Sequence, residues 1–304
     1  MSYALQFGVI LAMVVLGCAK VTLQGQFSRR FIRNTSDSVL FNAELFVAIA
    51  LVMAILFPMG EIGGIGILLA ALTAICTVIF QTTYSLALKS GPVSLTVLIG
   101  NFSIFITVAF SMIAYKESFY LTQLFGVVFL ILSMLLGIKK SKDEKGITGK
   151  WILLVLAMIL SNGLASIFMK VFSKEISGGA ADAQSSFMAL SYLIAAALAA
   201  GLFFITSGCG KRERASFGVF DKGALLFVGL IGIILGIYQR FYMLGLANID
   251  SGFMFPTYSG MQSLGMSFIG VLMFKDKLTV RQWFGIACGI ICVVLMNVRL
   301  GKLF

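Results

Sequence analysis

The chain contains one apolar pattern twice, and this duplication constrains its fold more than any other feature. The first copy contains, in order, Tyr84-Ser-Leu-Ala-Leu, Tyr115-Lys116-Glu117 and Gln123-Leu-Phe-Gly126. The second copy contains, in the same order, Tyr242-Met-Leu-Gly-Leu, Phe274-Lys275-Asp276 and Gln282-Trp-Phe-Gly285. Further upstream, a fainter match joins Leu11-Ala-Met13 to Leu156-Ala-Met158. Landmarks that recur in the same order indicate that the protein arose by duplication.

The chain is too apolar to cover a water-facing fold. Its 304 residues are 60% hydrophobic and 12% charged, with a mean hydropathy of +1.03, whereas a soluble domain is about 45–50% apolar and about 25% charged. A helix needs about 20 apolar residues to cross a membrane. Ten such runs occur, approximately at residues 5–26, 38–58, 64–88, 92–115, 120–138, 151–172, 184–207, 223–247, 252–274 and 279–298. The sequence therefore predicts an all-α integral membrane protein with ten transmembrane helices.

The ten predicted helices divide into two five-helix repeats. We expect the first repeat at residues 1–138, a polar linker at 139–150 and the second repeat at 151–304. Five is an odd number, so the second repeat enters the membrane from the opposite side. This inverted-topology arrangement is found in many secondary transporters, which bind their substrate near the midplane between the repeats. Residues 1–7 carry no basic segment, so we interpret the first run as a retained transmembrane helix and not as a signal peptide.

Composition argues against several kinds of chemistry. The net charge is +11, but the basic residues cluster in short segments between helices, where membrane orientation explains them without nucleic acid. There is no histidine, and the five cysteines show no CxxC spacing. The chain also has no Gly-x-x-x-x-Gly-Lys loop. We therefore expect no metal, no cofactor and no catalytic residues, and we expect energy for transport to come from gradients or exchange.

These features resemble the EamA-type transporters of the drug/metabolite transporter superfamily. Each repeat has an Ala-Leu or Gly-Leu turn, an acidic residue after its fourth helix and Gln-x-x-Gly at the start of its fifth. The resemblance covers nearly the whole chain. It implies a transporter of amino acids, sugars, nucleotides, drugs or other metabolites, without indicating which. The family often has a proline midway along the fourth helix of a repeat; Pro256 fits this in the second half, but Leu98 stands at the matching place in the first.

Polar side chains inside the predicted helices are the candidates for solute binding, because such groups are costly in a membrane. Two matched faces carry a glutamine and a tyrosine, and the fourth helix of each repeat adds further polar groups. The candidates are Gln81, Tyr84, Asn101, Tyr238, Gln239, Tyr242 and Tyr258. The alternative is that these side chains hydrogen-bond between helices as packing contacts. Pro256 leaves one backbone carbonyl free, so it is either a hinge or a static kink.

Two charged residues, Lys20 and Glu44, are predicted to lie about 10 Å below one membrane surface on consecutive antiparallel helices. One interpretation is a structural ion pair between them. The other makes Glu44 the site of a coupling proton or cation. Lys170 and Arg240 lie near helix ends, from which their side chains are expected to snorkel to the surface.

The leading functional hypothesis is a secondary active transporter in the cell membrane that moves a small organic metabolite by alternating access. The alternatives are a lipid-carrier flippase or channel-like protein and, with less support, a membrane-embedded enzyme. An enzyme is disfavoured because membrane catalysis usually needs clustered His, Asp, Glu or Ser groups. The expected partners are the lipid bilayer, a small-molecule substrate and a coupling proton or an exchanged solute. The sequence does not indicate the oligomeric state.

Two arguments about membrane orientation conflict. Loops after the odd-numbered helices carry sixteen of the basic residues, whereas the side with both termini carries four. Because Lys and Arg in short loops are retained in the cytoplasm, this count places both termini outside. The resemblance implies the reverse, since EamA-type proteins usually keep both termini in the cytoplasm. We favour the charge count.

Overall fold

The computed structural model describes residues 2–33, 35–90, 96, 99–118, 120–137, 148–208, 221–274 and 279–298. Within these ranges the chain forms ten helices of thirteen residues or more. They are α1 Tyr3–Phe31, α2 Thr35–Leu56, α3 Gly64–Ser90, α4 Ser103–Tyr115, α5 Leu121–Gly137, α6 Gly149–Val171, α7 Ala181–Gly208, α8 Lys222–Asn248, α9 Ser251–Phe274 and α10 Val280–Asn297. A π-helical turn, Phe172–Ile176, continues α6.

The length and composition of these helices confirm the predicted all-α membrane protein. In the described part of the chain, α1, α2, α3, α6, α7 and α8 are long and apolar enough to cross a membrane. The helices α4, α5 and α10 contain shorter apolar stretches. Their many outward-facing Leu, Ile and Phe side chains, such as Ile113 at 82% exposed, would be unfavourable in water but suit lipid.

Helix four departs from the continuous run predicted at 92–115. Residues 99 and 100 are helical, a turn follows at Asn101 and Phe102, and regular helix resumes at Ser103. Around this turn the backbone bonds span three residues instead of four, with Phe102 N donating to Ile99 O at 2.9 Å and Phe105 N to Phe102 O at 3.0 Å. Tight turns of this type inside a helix often mark a hinge.

Pro256 does not interrupt its helix in the same way. It is buried in the second turn of α9, which is continuous from Ser251 to Phe274. A proline this close to the start of a helix removes one backbone bond near the end of the element, and the helix tolerates it. The hinge role of Pro256 stays a prediction, while the break in the first repeat lies at Asn101.

Most helix contacts join the two repeats, and the one extensive contact between sequence neighbours in the described part of the chain is that of α9 with α10. The main contacts are α1 with α8 and α9, α2 with α7 and α8, α3 with α6 and α7, α4 with α6 and α9, and α5 with α9 and α10. Equivalent helices of the two repeats differ by five in number, so that α1 corresponds to α6 and α3 to α8. Exchanging equivalent helices converts the α1–α8 contact into α6–α3. It likewise converts α2–α8 into α7–α3 and α1–α9 into α6–α4. The fold therefore has approximate two-fold symmetry.

The relative direction of the helices shows that the repeats are inverted. Helix α1 runs antiparallel to α8: a Cβ on Gly245 would lie 3.9 Å from Met13 Sδ, and the Phe27 ring contacts Phe227 at 6.3 Å. The first and third helices of one repeat run in the same direction, because the second helix lies between them and the chain reverses direction twice. The third helix of the second repeat runs opposite to α1, so the second repeat has the opposite orientation in the membrane.

Small residues allow this close cross-repeat packing. A Cβ placed on Gly232 of α8 would lie 2.6 Å from the Ala48 Cβ of α2, closer than real carbon atoms approach. A Cβ on Gly163 of α6 would lie 2.8 Å from the Ile106 Cβ of α4. In a membrane, helix association depends on such close contact, since burial from water contributes little there.

Candidate functional site

A group of aromatic and amide side chains lies where α7, α8 and α9 meet, and we call it the central cluster: Tyr192, Tyr238, Gln239, Tyr242 and Tyr258. The rings of Tyr238 and Tyr242 stack with centroids 6.0 Å apart, and the Tyr258 ring lies 6.0 Å from Tyr238. Gln239 Nε2 donates a hydrogen bond to the Tyr192 hydroxyl. Tyr192 and Gln239 are 7% and 9% exposed, so this bond is sealed from solvent.

The amide oxygen of Gln239 distinguishes the cluster from ordinary packing. This Oε1 atom is buried and accepts no hydrogen bond in the structure. A buried acceptor without a donor costs about 1–3 kcal/mol. Among the described residues the Gln239 oxygen is therefore an unpaired acceptor, which the N–H or O–H group of a solute would satisfy if the cluster opened to admit it.

A hydrogen-bonded path, which we call the polar path, runs from the central cluster to the first repeat. The Tyr242 hydroxyl donates to Ser166 Oγ on α6 at 3.1 Å, and Ser166 Oγ donates to the Asn162 carbonyl at 3.0 Å. Asn162 Nδ2 donates to Ser103 Oγ on α4 at 2.6 Å. Ser103 Oγ in turn donates to the Gly100 carbonyl at 3.0 Å. The path thus joins both repeats and ends at the break in helix four.

Helix α1 completes the wall of the central cluster. A Cβ on Gly17 would lie 2.7 Å from the Tyr258 hydroxyl and 3.0 Å from Gln262 Nε2. These polar groups approach the α1 backbone only because residue 17 has no side chain. No pattern in the sequence had assigned a role to Gly17.

The structure brings together only part of the predicted solute-binding set. Tyr238, Gln239, Tyr242 and Tyr258 meet in the central cluster. Tyr84 instead stacks on Phe80, with ring centroids 5.8 Å apart, in a second apolar cluster. Gln81 is half-buried one turn earlier on α3, and Asn101 is exposed at the turn in helix four. The equivalence of the two Gln/Tyr faces in sequence does not extend to their surroundings, because the tyrosine of α3 packs against Met158 and Trp151 of α6.

Lys20 and Glu44 do not form the predicted ion pair in this structure. Both carboxylate oxygens of Glu44 are buried and have no hydrogen-bond partner among the described residues. The physical reason lies in the packing, because α1 contacts mainly α8 and α9 while α2 contacts mainly α7 and α8. Similar depth on consecutive helices does not bring two side chains together when each helix faces a different neighbour.

A buried ionic cluster lies on the side of the fold where α4 and α6 end and α9 begins. It consists of Glu117, Lys170, Lys174 and Ser251. Lys170 Nζ lies 2.5 Å from Glu117 Oε1, and Lys174 Nζ lies 3.4 Å from the same oxygen. The backbone N–H of Ser251 donates to Glu117 Oε2 at 2.7 Å. Glu117 therefore bonds simultaneously to α6, to the π-helical turn that follows it and to the N-terminus of α9.

Local backbone geometry directs Glu117 into this position. Helix α4 ends at Lys116, which adopts the left-handed conformation with φ 49° and ψ 37°. That conformation reverses the chain direction at a helix end. The following residue, Glu117, is consequently turned inward and is 8% exposed. Its carboxylate also lies at the N-terminus of α9, where the helix dipole favours negative charge.

The interpretation of Lys170 as a residue that snorkels to the membrane surface is wrong. Its side chain is 0% exposed, and Nζ donates to Glu117 and to Ser251 Oγ. Proximity to a helix end misled the interpretation, since α6 continues into the π-helical turn and α9 covers the lysine. Glu117, the acidic residue that follows the fourth helix in the repeated pattern, was the sequence feature that pointed to this site. Only the fold identifies Lys170 as its partner.

The fold defines the class of protein: a multi-pass helical membrane protein built from two inverted five-helix repeats, with a polar and aromatic cluster linked to both. The sequence matches the profile of the EamA-like transporter family over residues 6–138 and 149–298. The chain belongs to this family of transporters, as its resemblance to EamA-type proteins predicted.

Comparison with known structures supports the fold. Twenty-eight chains of known structure match this one. One of them, a crystal structure, aligns with a TM-score of 0.73 over 97% of this chain and 96% of its own length. The two sequences are 14% identical, so this similarity concerns the fold alone. No match is found among curated proteins.

Proposed function

We propose that the protein is a secondary active transporter that moves a small organic metabolite across the cell membrane by alternating access, with the solute bound at the central cluster. The polar path from Tyr242 through Ser166 and Asn162 to Ser103 is the observation that carries the proposal. It places hydrogen-bonding groups of both repeats in one connected arrangement inside apolar helices. Inverted-repeat transporters bind their substrates at such an interface.

The chemistry of the cluster fits a neutral or zwitterionic organic solute. Tyrosine rings provide flat apolar walls, and their hydroxyls together with the unpaired Gln239 oxygen provide polar contacts. Binding sites for small molecules commonly combine aromatic walls with a few placed polar groups. Contacts of this kind bind a solute without changing its covalent bonds, which supports a carrier in preference to an enzyme.

The break at Asn101 supports a mechanism for reorientation. Ser103, the last side chain in the polar path, lies directly after this turn. When the solute leaves Tyr242, the change in hydrogen bonding would be transmitted to Ser103, beside the turn, through the three hydrogen bonds that connect them. Helix interruptions of this kind absorb the backbone rotation during domain movement.

The first test measures binding by thermal stability. Purified protein is heated with a panel of amino acids, sugars, nucleosides and drug-like amphiphiles. A solute present at 100 times its Kd adds about 2.7 kcal/mol of stability. Solutes that raise the melting temperature are then assayed for uptake into proteoliposomes.

Gln239→Ala provides the specific variant, and Asn248→Ala provides its matched control on the same helix. Asn248 is exposed at the end of α8, where its amide bonds only within the helix. Loss of the Gln239 contact should weaken binding by about 1–3 kcal/mol, or about 5- to 150-fold. Equal binding and uptake by both variants would show that Gln239 is a packing residue and that the site lies elsewhere.

A lipid-carrier flippase is the second candidate, and one observation favours it. An apolar cavity of about 210 Å³ lies between α4, α5 and α9, lined by Phe105, Val108, Ala109, Met112, Leu124, Val127 and Pro256. Acyl chains fit such a lining. Ala109→Trp, which would fill the cavity, should stop transfer of a fluorescent lipid between leaflets if the protein is a flippase, and should leave metabolite uptake intact if it is a metabolite carrier.

A further inference from the structure

Among the residues that the structure describes, no basic group or hydrogen-bond donor pairs with the Glu44 carboxylate. Glu44 is the tenth residue of α2, between the buried residues Ala43 and Leu45. Its two oxygens are inaccessible and accept no hydrogen bond. An ionised carboxylate in such a place is very unfavourable, because burial removes its hydration and no partner replaces it. The group must therefore carry a proton or hold a cation in this conformation.

The charged and titratable groups around Glu44 do not stabilise a negative charge. Asp221, at the N-terminus of α8, acts on Glu44 as a like charge and caps its own helix by accepting a hydrogen bond from Ala224 N at 2.9 Å. On α7, the Tyr192 hydroxyl is engaged by Gln239. On α2 itself, Asp37 accepts a hydrogen bond from the Arg33 backbone at 2.8 Å.

Two basic residues on the helices that pack in this part of the fold do not pair with Glu44. Lys222 is exposed at the start of α8, and Lys20 on α1 makes no ion pair among the described residues. The Glu44 oxygens have no hydrogen-bond donor from either lysine. Among the described residues, the carboxylate therefore has no pairing cation, and the like charge of Asp221 further disfavours its ionised form.

The donor set favours a proton over a metal cation. Hard cations such as Ca²⁺ require about six to eight oxygen ligands, and Mg²⁺ requires near-octahedral coordination. The described residues contain no group of three or more His, Cys, Asp or Glu side chains that could hold a metal. One turn after Glu44, Ala48 packs so closely against α8 that a Cβ on Gly232 would lie 2.6 Å from the Ala48 Cβ, so this face of α2 is tightly packed. A single proton needs only the carboxylate itself.

We propose that Glu44 is the proton-binding group that couples solute transport to proton movement. This inference rests on the proposed function, and it adds the identity of the coupling ion. Glu44 takes one proton from water while the protein is open to one side of the membrane. The protein then passes through the closed state with Glu44 as the neutral acid, and Glu44 releases that proton to water once the protein is open to the other side. One proton is taken up and one is released in each cycle, and no bond other than the carboxyl O–H changes.

The first experiment detects the bound proton without any solute. Infrared spectra of the purified protein at neutral pH should show the carbonyl stretch of a protonated carboxylic acid, with the shift expected in heavy water. Glu44→Gln should lack this band, while Glu61→Gln, a control at an exposed position, should keep it. A band of equal size in the Glu44 variant would assign the proton to another residue and overturn the proposal.

A second variant keeps the test informative if Glu44→Gln fails to fold. Asp221→Asn removes the neighbouring like charge and leaves Glu44 in place. The carboxylic acid band should then disappear at a lower pH than in the parent protein. An unchanged titration would contradict the environment assigned to Glu44.

The last experiment tests whether the proton exchanges during conformational change. A pH step applied to proteoliposomes on a supported membrane should produce a transient current from proton binding. The current should be lost in Glu44→Gln and retained in Glu44→Asp and Glu61→Gln. A current that survives in Glu44→Gln would overturn the coupling role. Solute binding measured by thermal stability reports separately on the proposed function, because glutamine preserves the neutral form of residue 44.

Discussion

Replacing Glu117 by glutamine removes the carboxylate that two lysines share, and the burial of those lysines determines the cost. The Lys170 side chain is 0% exposed and that of Glu117 is 6% exposed, so water does not screen their interaction. Removing one member of a buried ion pair usually costs about 3–5 kcal/mol, because the other charge stays buried without compensation. After Glu117→Gln, Lys170 would retain only neutral oxygen acceptors such as Ser251 Oγ. We therefore expect the free energy of unfolding to fall by about 3–5 kcal/mol.

The lysine variants should cost less, in a defined order. Lys170→Met leaves the Glu117 carboxylate bonded to Ser251 N and close to Lys174, so about 1.5–3 kcal/mol is lost with one charged hydrogen bond. Lys174→Met should cost about 0–1 kcal/mol, because this side chain is 36% exposed and its interaction is screened. The double variant Glu117→Gln/Lys170→Met should be more stable than Glu117→Gln alone, since no charge is left buried.

Denaturant unfolding in detergent, extrapolated linearly to zero denaturant, measures these differences. Both the order of the variants in stability and the magnitude of each loss are expected outcomes. A loss below about 1 kcal/mol for Glu117→Gln, or a larger loss for Lys174→Met than for Lys170→Met, would refute the assignment of a buried, unscreened pair.

Two further predictions concern the wall of the cluster and the membrane orientation. Gly17→Ala should reduce solute binding, because the new Cβ would lie 2.7 Å from the Tyr258 hydroxyl and displace it. The control Gly8→Ala should bind solute normally, because its Cβ would have no atom within 4 Å. Thermal-shift titration compares the two variants, and equal affinities would exclude contact between α1 and the site. A C-terminal alkaline phosphatase fusion should be active, since the distribution of Lys and Arg predicts that both termini lie outside. An inactive phosphatase fusion together with a fluorescent GFP fusion would contradict this orientation.

The candidate site was partly predictable because polar residues are conspicuous in apolar helices. Tyr238, Gln239, Tyr242 and Tyr258 stood out for this reason, and the structure places them together. Their partners were harder to predict. Tyr192 and Ser166 lie on α7 and α6, at sequence distances of 47 and 76 residues from Gln239 and Tyr242. Serine and tyrosine are common enough in membrane helices that neither residue stands out alone.

Local patterns in the sequence determined which segments cross the membrane and how the repeats are oriented. Hydropathy over about 20 residues marks a span regardless of what surrounds it. An odd number of spans per repeat then requires inverted topology. These properties depend on chain length, apolar character and parity, so the ten helices and their two-fold arrangement were predictable before any contact was known.

Only the tertiary structure decided which helices pack together and therefore which charges meet. Lys20 and Glu44 occupy similar depths on consecutive helices, yet α1 and α2 face different neighbours and leave Glu44 unpaired. Glu117 and Lys170 are 53 residues apart and belong to different repeats, yet they form a buried pair. The partner and direction of a side chain depend on the rotation of its helix and on cross-repeat packing, and both arise from long-range contacts that a local pattern does not contain.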